Sequence, residues 1–196
     1  MNILALDTST PATSVALCRR GRPSEAGTEP SAIEARDDPV PGARPGHAAR
    51  LLPLAVEVLE RGGCAWAELD AVAVGRGPGT FTGLRIGIAT ARALSQSLDL
   101  PLIGVSTLES LALNGLRAER GDRGAVMAVL DARRGEVFAA AWRFGPQAGT
   151  GPGGGLGEPV LSPRAIRPEA LGRIALRVRL LHAGEDRRTI ELDPGS

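Results

Sequence analysis

The stretch that most constrains the fold runs from Ala71 to Leu98, with the sequence AVAVGRGPGTFTGLRIGIATARALSQSL. An apolar run of strand type leads into a glycine-rich loop, and a long helical pattern follows the loop. Many proteins hold a phosphate with a strand, a glycine loop and a helix, because the first helical N–H groups have no partner inside the helix. Glycines also let a backbone turn sharply with no ligand present. The sequence leaves both interpretations open.

Composition places the chain among globular proteins and narrows its partners. The 196 residues are 43% hydrophobic and 23% charged, which suffices for one large domain or two small ones. A net charge of +1 gives no strong case for binding nucleic acid alone. All 23 basic residues are arginine, so the chain is compositionally biased, and arginine-rich patterns are weaker evidence of a function. With no signal peptide or membrane span in the pattern, we predict a cytoplasmic protein that does not contact a membrane.

The first half predicts alternating strands and helices. Between a hairpin and the first helix, Gly21 to Gly46 predicts a loop or insertion, with a third strand near 32–35. The glycines at 62 and 63 end the first helix. The predicted elements are strands over 2–6 and 13–18, a helix over 47–59, a strand over 71–74, a helix over about 82–98, a strand over 101–105 and a helix over about 107–116.

The turn after the first strand carries an acidic residue and hydroxyls at Asp7, Thr8 and Thr10. It resembles the first phosphate loop of actin-like ATPases, although those loops usually place a glycine where this chain has Ser9. One interpretation is nucleotide contact. The other, which we favour, is a turn capped by its own side chains.

The helix over about 82–98 carries small residues every four positions at Gly83, Gly87 and Ala91. Each glycine inside a helix costs about 1 kcal/mol relative to alanine, which is tolerable where another backbone comes close. That backbone belongs either to the chain's own sheet or to a partner, and the sequence does not decide. We expect the hydroxyl of Thr80 or Thr82 to cap this helix.

The second half repeats the opening plan. An apolar strand over 125–130 ends in Asp131, and a turn leads to a returning strand over 136–143, which predicts an internal duplication. We therefore place two domains at residues 1–120 and 121–196. Beyond them we predict a Gly/Pro loop over 145–157, a short strand over 159–162, a helix over 163–171 and paired strands over 174–181 and 188–192.

Five segments resemble the bacterial TsaB (YeaZ) family in order and spacing, over most of residues 1–143. They are LALDTST, HAARLLPL, AVAVGRGPGTFTGLRIGIATARAL, PLIGVSTLESLA and LDARRGEVFAA, of which GRGPGTFTGLRIG is the specific signature. The resemblance implies an α/β fold of the actin-like, RNase H-like (ASKHA) class, with two subdomains that each contain a mixed sheet flanked by helices. The tail after about residue 171 does not resemble the family, so the second subdomain is expected to be shortened.

The resemblance also implies a function. TsaB proteins support formation of N6-threonylcarbamoyladenosine beside the anticodon of tRNAs that read codons beginning with A. The catalytic subunit is the paralogue TsaD, a small ATPase named TsaE docks on the pair, and tRNA is reached only through the complex. We therefore expect a non-catalytic scaffold, with no cofactor of its own and with ATP and metal on its partners. A homodimer is expected when the chain is alone.

By the same resemblance, the first two helices form the partner interface. The residues implied are His47, Leu51, Leu52, Ala55, Leu59, Gly83, Leu84, Gly87, Ile88 and Ala91.

Inspection of the residues agrees that catalytic and metal ligands are lacking. The two histidines are far apart in sequence, and no serine lies in a G-x-S-x-G motif. The alternative is a stand-alone actin-like ATPase or small-molecule kinase, because Mg²⁺ needs carboxylate oxygens around a phosphate. That site would use Asp7, the glycine loop over 75–83 and Asp131. If the chain has lost this activity, a vestigial nucleotide loop would comprise Asp7, Thr8, Thr10, Gly75, Gly77, Gly79, Thr80 and Asp131. A third possibility is a homodimeric structural protein.

Overall fold

A computed structural model describes residues 1–19, 31–40, 42–118, 124–144, 156–157, 159–171, 178–182 and 189–190. The chain divides into two compact units, Met1–Val105 and Ser106–Ser196. The third long helix therefore belongs to the second unit, whereas the sequence placed it in the first. Most of the predicted loop over 145–157 lies outside the described residues. Residues 20–30, which include the start of the loop predicted before the first helix, also lie outside them.

The first unit is built on a five-stranded mixed sheet with the order β3-β2-β1-β4-β5. β1 pairs antiparallel with β2, β2 pairs antiparallel with β3, and β1, β4 and β5 are parallel. The strand predicted near 32–35 is confirmed as β3, which pairs with β2 along its whole length. The strands are β1 (Asn2–Asp7), β2 (Thr13–Arg19), β3 (Ser31–Asp37), β4 (Ala71–Gly75) and β5 (Leu102–Val105).

Two helices cover one face of this sheet: α1 (His47–Gly62) and α2 (Phe81–Leu98). α1 ends at Gly63, whose φ of 55° lies in the left-handed region that glycine adopts without strain. Alternate residues of the strands face the helices, as the period of two requires. The buried core joins Leu4, Leu6, Val15, Leu17 and Val72 of the sheet to Leu51, Leu54, Val58 and Ala91 of the helices.

The second unit is built on another five-stranded sheet, ordered β10-β9-β6-β7-β8. The predicted helix over 163–171 is wrong in its first half, because pairing of β8 with β7 continues to Ile166 and only a four-residue helix follows. The predicted pairing of the last two strands is confirmed. The elements are α3 (Thr107–Ala118), β6 (Gly124–Arg133), β7 (Glu136–Phe144), β8 (Pro159–Ile166), α4 (Pro168–Leu171), β9 (Val178–His182) and β10 (Thr189–Ile190).

The two sheets share one topology, in agreement with the predicted duplication. Each begins with an antiparallel hairpin, adds its third strand outside the second, and sets its fourth strand parallel to the first. They differ at the fifth strand, because β5 is parallel to β4 whereas β10 is antiparallel to β9. Repetition of the plan places Asp7 and Asp131 at equivalent points, before the turn of the first hairpin in each unit.

Candidate functional site

The turn between β1 and β2 contacts the glycine loop after β4 and the first turns of α2. The backbone N–H of Thr80 donates a 2.7 Å hydrogen bond to the carbonyl oxygen of Ser9. The hydroxyl of Thr8 donates a 2.8 Å hydrogen bond to the carbonyl oxygen of Gly83. Thr8 and Ser9 are buried, with 1% and 2% of their surfaces exposed. We call this contact the turn–loop joint.

The glycines of the loop are explained by this joint. A Cβ on Gly79 would clash with the backbone of Ser9, and one on Gly83 would clash with the carbonyl oxygen of Thr8. A Cβ on Gly75 would lie 2.7 Å from Oδ2 of Asp7, closer than such atoms approach. Gly77 has a φ of 99°, a backbone conformation that residues with a side chain rarely adopt. Close approach of the chain's own turn therefore accounts for Gly75, Gly79 and Gly83 without a ligand, and the backbone conformation accounts for Gly77.

The aspartates of the two hairpins cap their own turns. Oδ1 of Asp7 accepts hydrogen bonds of 2.6 Å from both the N–H and the hydroxyl of Ser9. Oδ1 of Asp131 accepts a 2.7 Å hydrogen bond from the N–H of Arg133. These are side-chain-capped turns of the kind favoured by the sequence, and the two carboxylates belong to different units.

His47 lies beside the joint and is 3% exposed. Its Nδ1 is 2.9 Å from the hydroxyl oxygen of Thr13, and its Nε2 lies 3.2 Å from the position a Cβ of Gly83 would occupy. Burial lowers the pKa of His47, while the charges of Asp7 and Asp37 act in the opposite direction. The imidazole therefore packs between the start of α1, β2 and α2.

Comparisons with known proteins agree with the fold and the signature. A protein-family model described as TsaD, a tRNA N6-adenosine threonylcarbamoyltransferase, matches residues 41–148. A solved structure described as YeaZ from Pseudomonas aeruginosa is 34% identical, with a TM-score of 0.67 over 86% of this chain and 68% of that one. A second, described as similar to the peptidase YeaZ from the same species, is 33% identical, with a TM-score of 0.70 over 91% of this chain and 74% of that one. This chain belongs to the TsaB (YeaZ) family.

Several curated relatives are named TsaB. The Escherichia coli protein, named a tRNA threonylcarbamoyladenosine biosynthesis protein TsaB, is 40% identical over 73% of this chain and 55% of its own length. The Bacillus subtilis protein of that name is 33% identical over 74% of this chain and 56% of its own length. The chain thus spans about half the length of the curated relatives it matches. The actin-like, RNase H-like fold predicted for a TsaB chain is confirmed.

The residues implied as a TsaB partner interface separate into buried and exposed groups. Seven of the ten are buried within the first unit, so their side chains are not available to a partner: His47, Leu51, Ala55, Leu59, Gly83, Gly87 and Ala91. Gly87 faces the hydroxyl of Thr8, so the ridge of small residues packs against the chain's own turn. Leu84 and Ile88 are half-buried, and Leu52 is 49% exposed. Docking through α1 and α2 stays a prediction.

Two exposed side chains on these TsaB helices were missed by sequence reasoning. Val56 lies one turn after Leu52 on α1 and is 42% exposed, and Phe81, the first residue of α2, is 73% exposed. The signal for Val56 was present, since it shares a helical face with Leu52 rather than with the buried Leu51. Phe81 precedes the apolar period of α2, so the pattern gave no sign of its exposure.

The N-termini of α2 and α3 differ in whether a side chain caps them. Thr80 is the residue before α2, but its side chain forms no capping hydrogen bond, and Thr82 lies inside the helix, so the predicted cap is wrong. At α3, the hydroxyl of Ser106 accepts a 3.4 Å hydrogen bond from the N–H of Glu109.

Among the residues that the structure describes, no three His, Cys, Asp or Glu side chains are grouped so as to hold a metal ion. No helix in the same residues has the length and apolar character needed to cross a membrane.

Proposed function

We propose that this chain is a non-catalytic subunit of the assembly that forms N6-threonylcarbamoyladenosine beside the anticodon in tRNAs reading codons that begin with A. It would act beside a TsaD-type catalytic paralogue. The observation that carries the proposal is the turn–loop joint. The strand–loop–helix that could hold a phosphate is filled by the chain's own turn, with Thr80 bonded to Ser9 and Thr8 bonded to Gly83. The names of the TsaB relatives indicate the pathway, threonylcarbamoyladenosine biosynthesis in tRNA.

The docking surface that we propose is the exposed side of α1 and α2. Leu52, Val56 and Phe81 are large apolar side chains that are 49%, 42% and 73% exposed, and they lie on neighbouring helices. Exposed apolar side chains grouped on one surface mark protein interfaces more often than isolated ones do. The fully buried centre of an interface is also more apolar than the surrounding surface. This surface is therefore suited to a TsaD-type partner.

The remaining parts of the proposal follow from the family. A TsaE-like ATPase would dock on the pair, and tRNA would be bound only by the complex. ATP and metal would be held by the partner subunits, and this chain would bring no cofactor. In the absence of its partner the chain would form a homodimer, and the assembly would act in the cytoplasm.

A reconstituted modification reaction tests the proposal. We expect formation of threonylcarbamoyladenosine by the TsaD-type and TsaE-type partners to depend on this chain. The Leu52→Glu variant is expected not to support modification, since it places a charge in the centre of the proposed surface. The matched control is Arg61→Glu, which adds a carboxylate on the other flank of α1, where Arg61 contacts β3 through the carbonyl oxygen of Glu34. Full modification without the chain would refute the proposal.

The alternative, a stand-alone ATPase or small-molecule kinase, has its own test. Calorimetry of the isolated chain with ATP and Mg²⁺ would show micromolar binding, and an assay would show turnover. Asp7→Asn would then remove both. We expect no turnover, because the carboxylate of Asp7 is already bonded to Ser9.

A further inference from the structure

The arginines of the first unit are unevenly paired. Arg36, Arg50 and Arg61 form ion pairs with Asp38, Asp37 and Glu57 respectively. In contrast, Arg85 and Arg92 on α2 are exposed, and neither forms an ion pair within the described part of the chain. α2 contains no acidic residue at all. Its outer side therefore presents positive charge that forms no ion pair with the described residues.

An aromatic side chain lies at the start of this basic side. The guanidinium carbon of Arg85 lies 5.2 Å from the centroid of the Phe81 ring, one helical turn away, while the ring remains 73% exposed. A cation over an aromatic face is attracted to the ring quadrupole, so the pair is held in place before any partner arrives. At 100° per residue, Phe81, Arg85 and Arg92 share one face of α2. We call these three residues the α2 stripe.

We propose that the α2 stripe is an anchor for an acidic protein surface, with Phe81 entering an apolar recess and Arg85 and Arg92 pairing with carboxylates around it. The inference rests on the proposed function, and it specifies the chemistry of the partner face that α2 meets. Aromatic residues and arginine are enriched among the few positions that dominate interface energies. Uncompensated like charges on one helix face favour a partner of opposite charge and speed its association.

The geometry favours a protein over an RNA strand. A base stacks on an open aromatic face, and one face of Phe81 is already occupied by Arg85. Proteins that bind single strands commonly align several aromatic side chains, whereas Phe81 is the one exposed aromatic among the large apolar side chains of the described residues. A side chain that is covered on one face and otherwise exposed is better suited to insertion in a pocket.

Binding of the full chain to a TsaD-type partner from the same organism, measured by interferometry at two salt concentrations, tests the inference. We expect Phe81→Ala to weaken binding by roughly tenfold or more. The double variant Arg85→Glu/Arg92→Glu is expected to weaken it further and to flatten its salt dependence, since fewer charges are then screened. Arg61→Glu is the matched charge reversal outside the stripe and should bind like the wild type. Phe81 is exposed, so circular dichroism should show unchanged folding.

The outcomes separate this inference from the proposed function. If Leu52→Glu abolishes binding while both stripe variants bind normally, the inference is wrong and the proposed function stands. If the wild type does not bind the partner, both fail. If the stripe variants keep partner binding but lose binding of the isolated chain to tRNA, the stripe is an RNA surface and the inference is overturned.

Discussion

The hydroxyl of Thr8 and the carbonyl oxygen of Gly83 are joined by a 2.8 Å hydrogen bond across 75 positions of sequence. One end lies in the turn after β1 and the other in the first turn of α2. The bond is buried, and a buried hydroxyl left without its partner would cost about 1–3 kcal/mol. Gly83 and Gly87 of α2 therefore serve the chain's own packing, and the docking surface that we propose lies on the exposed side of the helix.

Gly87→Ala tests this assignment by the sign of its effect. On an open helix face, alanine would stabilise the protein by about 1 kcal/mol relative to glycine. In this structure the new Cβ would clash with the hydroxyl of Thr8, so we expect a loss of roughly 1–3 kcal/mol instead. Urea denaturation measures the difference. Gly87→Leu places a larger group in the same space and should unfold the first unit.

A double-mutant cycle with Thr8→Ala provides the control. Because Thr8→Ala removes the atom that the new methyl group meets, Gly87→Ala should cost less in that background. Equal costs in both backgrounds would contradict the contact. If Gly87→Ala stabilised the protein but weakened binding of its partner, the small residues of α2 would belong to the interface instead.

A second prediction concerns two buried threonines. The hydroxyl of Thr107, at the first position of α3, has no hydrogen-bond partner among the described residues, whereas that of Thr13 contacts His47 at 2.9 Å. Valine keeps the shape of threonine and removes the hydroxyl. We expect Thr107→Val to leave stability unchanged or raise it by up to about 1 kcal/mol, and Thr13→Val to lower it by about 1–3 kcal/mol. Thermal unfolding of both variants tests this, and equal effects would contradict it.

A third prediction concerns the turn between β6 and β7. Arg133, Arg134 and Gly135 have φ values of 68°, 57° and 75°, all in the left-handed region. A side chain costs about 1–2 kcal/mol in that conformation, so Arg134→Gly should stabilise the hairpin by about 1 kcal/mol. Gly135→Ala is the matched control and should destabilise the hairpin. A Cβ at that position meets nothing within 4 Å, so the loss of stability would come from the backbone conformation alone. Stabilisation by both variants would contradict the assigned turn.

Much of the fold was predictable because its signals are local. Apolar runs with a period of two identified β1 and β2, and a helical period followed by glycines identified α1. The helix predicted over 163–171 failed because pairing with β7, which is distant in sequence, continues β8 through Ile166. Pattern alone cannot reveal such pairing, since it depends on a neighbouring strand.

The candidate site likewise combines features set by local sequence with features set by contacts between distant residues. The capped turn at Asp7 follows from side-chain chemistry over two residues and was predicted. Burial of Gly83 and Gly87 against Thr8 depends on contacts across 75 or more positions, so the spacing of small residues could not tell an internal neighbour from a partner. The family resemblance implied an interface on α1 and α2, and most of the residues that it implied are buried within the first unit.

The last prediction uses the pH dependence of stability. Burial lowers the pKa of His47 in the folded protein below its ordinary value of 6.5. As the pH falls through 6.5, the unfolded chain binds a proton that the folded chain does not, so the free energy of unfolding decreases until the folded pKa is reached. The start of α1 adds to this effect, because the helix dipole disfavours a positive charge there. Denaturation of His182→Gln at several pH values, with and without His47→Gln, isolates the contribution, since the chain has only two histidines. The single variant should lose stability below pH 6.5 more steeply than the double variant. Equal slopes would show that the imidazole of His47 accepts a proton as readily in the folded protein as in the unfolded chain.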